Sequence, residues 1–218
     1  MPQAYAVRVE LPASGRAAMG APKPRARVQL PEETLSVPLV LGKQLHKLLE
    51  AGSVSFGSRA ELVHYLLQAQ EQLGFDVVVR LLDKRDYAER QLRERLARDG
   101  YWDKPIDAII ARATRARLVD DARFADAFIR SKLRSGWGAG RIERELSLRG
   151  IDPSALPGWP EEYQEGSEYE RALELASRRR LTGKDPYAKL VRFLCGRGFS
   201  PSVAHAVAQQ LVHGAQEE

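Results

Sequence analysis

A short frame of apolar residues and glycine recurs three times and constrains this chain more than any other feature. Each copy has an apolar residue, a second apolar residue four positions later, a glycine eight positions after the first, and an apolar or aromatic residue directly after that glycine. The copies begin at residues 92, 142 and 190, their glycines are Gly100, Gly150 and Gly198, and a proline follows each one. Apolar residues four apart share one helix face, and a glycine can take the left-handed conformation that ends a helix. Proline then suits the first turn of a following helix.

The frame therefore predicts a mainly α protein, an elongated array of three tandem three-helix repeats with a small N-terminal hairpin and helix. Such folds usually present surfaces to partners and seldom enclose a catalytic site. We divide the chain into a flexible tail (1–24), a hairpin plus helix (25–57), and repeats over 58–118, 119–166 and 167–218.

The N-terminal part combines strand and helix patterns. Alternation over 26–30 and 35–37 predicts two strands of a hairpin, and Tyr5–Leu11 alternates more weakly. Leucine spacing predicts a helix over Leu39–Glu50. Ser58 and Glu61 form a capping-box pattern that begins another helix. The run 77–79 is all valine and alone favours a strand, but without a nearby partner strand we assign it to that helix.

Within the repeats, the apolar spacing predicts helices near 86–98, 104–117, 121–134 and 138–149. Four residues in 152–160 are proline or glycine, which predicts a short or broken third helix in the second repeat. The third repeat begins near Glu168, and the pairs Asp185-Pro186 and Ser200-Pro201 each predict a helix start.

Charge is concentrated in the middle of the chain. Residues 84–149 carry 17 basic and 11 acidic side chains, most of the basic ones arginine. A basic surface of this kind suits a polyanion or an acidic protein groove, although a solvated helix face with mixed charges would look the same in sequence. The lone Cys195 excludes an internal disulfide, fits a reducing cytoplasm and is predicted to be a packed thiol. No apolar run approaches the roughly 20 residues that span a membrane.

No set of residues predicts catalysis, a cofactor or a metal site. The four histidines are scattered without metal-ligand spacing, and there is no phosphate-binding glycine loop. Asp120 and Asp121 could be a carboxylate pair, but adjacent helical residues point about 100° apart, so helix capping is the better interpretation. Trp137 could stack on a nucleic-acid base or pack against the turn, and packing is favoured.

Arginine's planar fork suits carboxylate and phosphate, so the basic side chains are the candidate partner-binding residues. For any single arginine, a solvated side chain or an ion pair such as Glu94 with Arg98 is the simpler interpretation. As a set they predict a binding surface: Arg90, Arg93, Arg123, Arg130, Lys132, Arg134, Arg141, Arg144, Arg178, Arg179, Arg180 and Arg197.

Three stretches resemble the RecX family of RecA regulators. They are residues 86–96, residues 118–151 with Asp120-Asp121 and Gly136-Trp137-Gly138, and residues 189–200. Order and spacing agree from about residue 60 to 213, and the middle stretch is the most specific. The motif residues are Asp120, Asp121, Phe124, Gly136, Gly138, Gly150, Gly198 and Phe199.

The resemblance implies a cytoplasmic, non-catalytic regulator that binds the RecA nucleoprotein filament and usually inhibits filament growth, ATP hydrolysis and strand exchange. Some family members also bind DNA, so direct contact with single- or double-stranded DNA is a further expectation. We expect a monomer whose residues 84–149 form the main contact. The alternatives are a DNA-binding regulator that uses helices 121–134 and 138–149 as a helix-turn-helix, and a helical adaptor for another partner.

Overall fold

The computed structural model describes residues 5–13, 23–163, 166–180 and 184–213. These residues form two compact units, Met1–Asp120 and Asp121–Glu218. The mainly α prediction is confirmed, with a small antiparallel sheet at the N-terminal end.

The sheet contains β1 (Arg8–Glu10), β2 (Arg25–Gln29) and β3 (Thr34–Pro38) in that order. β2 and β3 are the predicted hairpin, with Val28 opposite Leu35. Residues 8–10 belong to the sheet and not to the predicted flexible tail, because Val9 pairs with Val28 and is buried. The rest of that tail lies largely outside the described residues, at 1–4 and 14–22.

Helix α1 (Leu39–Glu50) covers one face of the sheet. Alternate residues of β2, Ala26 and Val28, are fully buried against Leu41 and Leu45 of α1. Gly42 allows this close approach, since a Cβ there would lie 2.0 Å from that of Ala26. Strand residues two positions apart thus pack against helix residues four positions apart, as the sequence predicts.

The first unit continues with α2 (Arg59–Leu82), α3 (Glu89–Asp99) and α4 (Asp103–Arg115). Ser58 caps α2 by accepting a hydrogen bond from the Glu61 amide, as predicted, whereas the Glu61 carboxylate accepts from Gly57 and not from Ser58. The valine run 77–79 is helical and lies in α2, where Val78 is buried against α3 and α4.

The second unit holds α5 (Asp121–Arg134), α6 (Ala139–Leu148), α7 (Glu168–Ser177), α8 (Pro186–Arg197) and α9 (Pro201–His213). The proline-rich segment forms only two short 3-10 turns, Pro153–Ala155 and Glu161–Tyr163, which confirms the broken third helix. Asp185 caps α8 by accepting from the Ala188 amide, with Pro186 in the first turn.

The three frame glycines adopt the left-handed conformation that the repeat predicts. Gly100, Gly150 and Gly198 have φ of 95°, 81° and 94°. The predicted packed thiol is wrong: Cys195 is exposed, because it follows the buried Leu194 and the helix turns it about 100° away. Among the helices described, none is both long and apolar enough to cross a bilayer.

Candidate partner-binding surface

The turn between α5 and α6 is held against the end of α8 by backbone contacts. The Gly138 amide donates to the Arg197 carbonyl (2.8 Å) and the Gly140 amide to the Gly198 carbonyl (3.2 Å). The free amides at the start of one helix thus satisfy free carbonyls at the end of another. We call this contact the glycine junction; Gly138 and Gly198 pack so closely that a Cβ at Gly138 would lie 2.4 Å from the Gly198 carbonyl carbon.

Two arginines complete the glycine junction from opposite sides. Arg141 donates to the Gly196 carbonyl (3.2 Å), and Arg197 donates to the Ser135 carbonyl (3.1 Å). Both were predicted to bind a partner, and both also hold the second and third repeats together.

Beside this junction lies a cleft of about 770 Å³. Its basic side chains are Arg130 and Arg134 from α5, Arg171 from α7 and Arg178 directly after α7. We call it the arginine cleft, and its lining residues are Arg130, Leu133, Arg134, Ser135, Gly136, Trp137, Tyr163, Arg171, Glu174, Leu175, Arg178 and Phe199.

Among the described residues, four arginines and one carboxylate, Glu174, line the cleft. Arg178 pairs with Glu174, and Arg130 pairs with Asp126 (3.0 Å), which does not line the cleft. Arg134 is exposed and makes no hydrogen bond or ion pair with any described residue. Burial lowers the pKa of the half-buried Arg171 guanidinium, although Glu168 partly offsets this effect.

Aromatic rings form part of the cleft wall. The Arg130 guanidinium lies 5.2 Å from the Tyr163 ring centroid. The hydrogen bond from Arg130 is the main reason that the pKa of Asp126 is lowered, and Tyr163 adds a second hydrogen bond. Tyr163 is carried by the proline-rich segment, which is anchored where Trp159 donates to Glu143 (3.1 Å).

Trp137 both packs and remains half-exposed. The Arg141 guanidinium lies 3.9 Å from its ring centroid, the Lys132 ammonium lies at 4.9 Å, and Phe128 meets it edge-on at 6.3 Å. These contacts favour the packing interpretation, while the indole still lines the cleft.

Of the twelve predicted partner-binding residues, Arg130, Arg134 and Arg178 converge in the cleft. Others make intramolecular contacts: Arg90 pairs with Glu94, Arg93 with Glu89 and Asp107, and Arg179 and Arg197 lie over Phe193. The suggested pair of Glu94 with Arg98 is wrong, because Glu94 turns to Arg90. Arg123, Arg144 and Arg180 are exposed outside the cleft.

The motif residues are mainly structural. Asp121 is the first residue of α5 and Asp120 directly precedes it. Phe124 and Phe199 are buried, and Gly136 has a φ of 74° where the chain turns beside Leu175. No group of three or more metal-ligating side chains was found among the described residues.

Three charged or aromatic cleft residues, Arg171, Tyr163 and Glu174, were not among the residues that the sequence singled out. A partial signal exists, since Arg171 and Arg178 are seven residues apart and therefore lie on one helix face, as Arg130 and Arg134 do at a spacing of four. Nothing in sequence spacing indicates that these two faces meet.

Known proteins with similar sequences agree with this architecture. Residues 75–112 match the first three-helix domain of RecX, and residues 120–156 match the second. Regulatory protein RecX of Chromohalobacter salexigens is 38% identical over 151 residues, covering 65% of this chain and 95% of the relative. This chain belongs to the RecX family.

Other RecX proteins are consistent with that assignment. Regulatory protein RecX of Vibrio vulnificus is 33% identical over 128 residues, covering 57% of this chain and 84% of the relative. A crystal structure of a regulatory protein RecX has a TM-score of 0.54 at 18% identity and covers 94% of this chain and 98% of its own. RecX from Lactobacillus salivarius gives 0.52 at 20% identity, over 66% and 97%. The chain is therefore a RecX-type regulatory protein with the RecX fold.

Proposed function

We propose that this chain binds RecA and its filament on DNA, and that it inhibits filament growth, ATP hydrolysis and strand exchange in the cytoplasm. Membership of the RecX family supports the regulatory role. The observation on this chain that carries the proposal is the arginine cleft, whose described lining contains four arginines and one carboxylate. Such a site attracts acidic protein surface or DNA phosphate.

The proposed contact centres on the cleft and includes α7 as well as the basic segment 84–149. Arg130, Arg134 and Arg178 line the cleft and are exposed. Arg141 is a poor test residue, because its side chain covers Trp137 and donates to the Gly196 carbonyl. Reversing its charge would disturb the glycine junction and so confuse loss of binding with loss of structure.

The test adds the protein to RecA filaments on single-stranded DNA and follows ATP hydrolysis and strand exchange. The double variant Arg134→Glu, Arg178→Glu should need about tenfold more protein for half-inhibition, since each exposed charge contact is worth up to about 1 kcal/mol and a factor of ten corresponds to about 1.4 kcal/mol. The matched control is Arg27→Glu, Lys43→Glu, which changes the net charge equally at two exposed sites outside both the cleft and the segment 84–149. A folded cleft variant that inhibits as well as the unchanged protein would refute the assignment.

The helix-turn-helix alternative is less well supported by the geometry. A recognition helix contacts base edges through its N-terminal residues. At the start of α6, the Gly138 and Gly140 amides donate to the end of α8, so this end of the helix is already engaged within the second unit. Mobility-shift assays against random and genomic DNA fragments test this alternative, because a helix-turn-helix regulator would show a sequence preference.

A further inference from the structure

Arg130 is held against Asp126 by more than a single contact. The Arg130 Nε atom donates to both carboxylate oxygens of Asp126 at 3.1 Å, and Nη2 lies 3.0 Å from Oδ1. An exposed ion pair usually contributes little, but a guanidinium that engages both oxygens of a carboxylate is an exception because its geometry is fixed. The order also suits a helix, since the acidic residue lies four positions N-terminal to the basic one.

Tyr163 restrains the same pair from another element. Its hydroxyl donates to the Asp126 carboxylate, and its ring centroid lies 5.2 Å from the Arg130 guanidinium. Tyr163 belongs to a 3-10 turn, so a contact from outside the helix reinforces one within α5. The ring is fixed in turn, because Trp159 meets it edge-on at 5.8 Å and donates to Glu143 of α6.

The restraint acts from outside the arginine cleft. Arg130 and Tyr163 line the cleft, whereas Asp126 does not. The contacts with Asp126 engage Nε and Nη2 of Arg130, and in the part of the chain that the structure describes no hydrogen bond engages Nη1. A phosphate or carboxylate of a partner can therefore bind Arg130 without displacing Asp126, and Asp126 need not touch that anion.

A restrained arginine differs from an unrestrained one in what binding costs. A long basic side chain loses rotamer freedom when a partner immobilises it, and a side chain that is already held loses less. Arg134, four residues further along α5, has no hydrogen-bond or ion-pair partner among the described residues and represents the unrestrained case. The cleft thus presents a prepositioned guanidinium at Arg130 beside one that is not.

We propose that Asp126 and Tyr163 are positioning residues, which hold Arg130 in place for an anionic group of the partner. This inference deepens the proposed function and rests on it, because it takes the arginine cleft as the contact surface. It predicts a change opposite to that expected from charge alone. Asp126→Asn removes a negative charge beside a cationic surface, so general attraction to an anionic partner would strengthen, whereas loss of positioning weakens the contact.

Inhibition of RecA ATP hydrolysis on single-stranded DNA tests this difference. Asp126→Asn should need about threefold more protein for half-inhibition, because Arg130 must then be immobilised on binding. Asp126→Glu keeps a carboxylate at the same helical spacing and should inhibit within about twofold of the unchanged chain. Glu10→Gln, an equal charge change at an exposed site in β1, should inhibit as well as the unchanged chain or slightly better. Equal or stronger inhibition by Asp126→Asn would overturn the proposal.

Side-chain NMR relaxation measures the positioning without RecA. In the isotopically labelled full chain, the Nε–H of Arg130 should have a higher order parameter than that of Arg134, and Arg130→Lys identifies its signal. Asp126→Asn should lower this order parameter, and so should Tyr163→Phe, which removes only the hydroxyl. Equal order parameters for Arg130 and Arg134 in the unchanged chain would also overturn the proposal.

The two assays separate this inference from the proposed function. An unchanged chain that does not inhibit RecA refutes the proposed function, and the inference fails with it. An unchanged chain that inhibits, together with an Asp126→Asn variant that inhibits equally, refutes the positioning role alone.

Discussion

Gly138→Ala tests whether the glycine junction holds the second unit together. Gly138 has ordinary negative φ (−80°), so alanine can adopt its backbone conformation without strain. The added methyl would lie 2.4 Å from both the carbonyl carbon and oxygen of Gly198. Those atoms are backbone at the end of α8 and cannot rotate away as a side chain would. The two helix ends must therefore separate.

The magnitude follows from what the separation disrupts. Overpacking of this kind costs about 1–3 kcal/mol. The hydrogen bonds from Gly138 to Arg197 and from Gly140 to Gly198 are 2.8 and 3.2 Å long, and each contributes about 1 kcal/mol. Alanine also restricts the unfolded chain, which offsets about 0.4–1 kcal/mol. The free energy of unfolding should fall by about 2–4 kcal/mol, combining these contributions.

Urea unfolding followed by circular dichroism and tryptophan fluorescence measures the effect, because Trp137 lies directly before the altered residue. With a slope of about 1–3 kcal/mol per molar urea, the midpoint of the second unit should fall by roughly 1 M or more. Gly196→Ala is the matched control: it is helical, and nothing lies within 4 Å of its added Cβ. It should raise stability by up to about 1 kcal/mol. A Gly138→Ala protein as stable as the unchanged chain would refute the packing argument.

Four further effects follow from the structure. Tyr101→Phe should stabilise the first unit by about 1 kcal/mol, since the buried hydroxyl has no hydrogen-bond partner in the part of the chain that the structure describes. Burial raises the pKa of Tyr101 to about 12, so the unfolded chain loses this proton at lower pH than the folded chain does. The free energy of unfolding should therefore fall between pH 10 and 12, and it should fall less steeply in Tyr101→Phe. Urea unfolding at a series of pH values measures both. Arg25→Ala should cost about 0.5–1.5 kcal/mol in thermal unfolding by removing the bond to the Ala97 carbonyl (3.0 Å), whereas Arg27→Ala, exposed and on the same strand, should be nearly neutral. Asp185→Ala should lower helix stability by about 0.5–2 kcal/mol through the lost cap, and Asp185→Asn should recover most of it. Under the proposed function, RecA inhibition should weaken steadily as salt rises from about 0.05 to 0.3 M, and salt-independent inhibition would contradict a charge-based contact.

Local features of this fold were predictable because they depend on neighbours in sequence. Gly100 and Gly198 end helices, and Asp185 begins one, through contacts within a few residues. Val78 shows the opposite case: its type favours a strand, but packing against α3 and α4 places it in a helix. The exposure of Cys195 follows from the repeated frame, because Leu194 of that frame faces the core and the next helical residue points about 100° away from it.

The candidate binding surface is only partly predictable from the sequence, because it depends on contacts between elements that are distant in the chain. Arg130 and Arg134 share a helix face by spacing alone. Their convergence with Arg171 requires the fold of the whole second unit, and Tyr163 sits in a segment whose prolines predict only irregular structure. Likewise, the sequence predicts a surface cation at Arg141, whereas in the fold its guanidinium donates to the Gly196 carbonyl.

Gly100 and Gly198, which end α3 and α8, share one further property that explains how a sheet can join a helical repeat. A Cβ at Gly100 would lie 3.1 Å from the side chain of Arg25, whose guanidinium donates to the Ala97 carbonyl near the end of α3. A Cβ at Gly198 would lie 2.4 Å from that of Arg141, whose guanidinium donates to Gly196 near the end of α8. In each case the absence of a side chain admits an arginine, and its charge suits the negative end of the helix. Arg25 belongs to strand β2 and Arg141 to helix α6, so a strand can supply the same contact as a helix of a neighbouring repeat. The N-terminal sheet can therefore cap the first repeat, as terminal modules do in other repeat proteins.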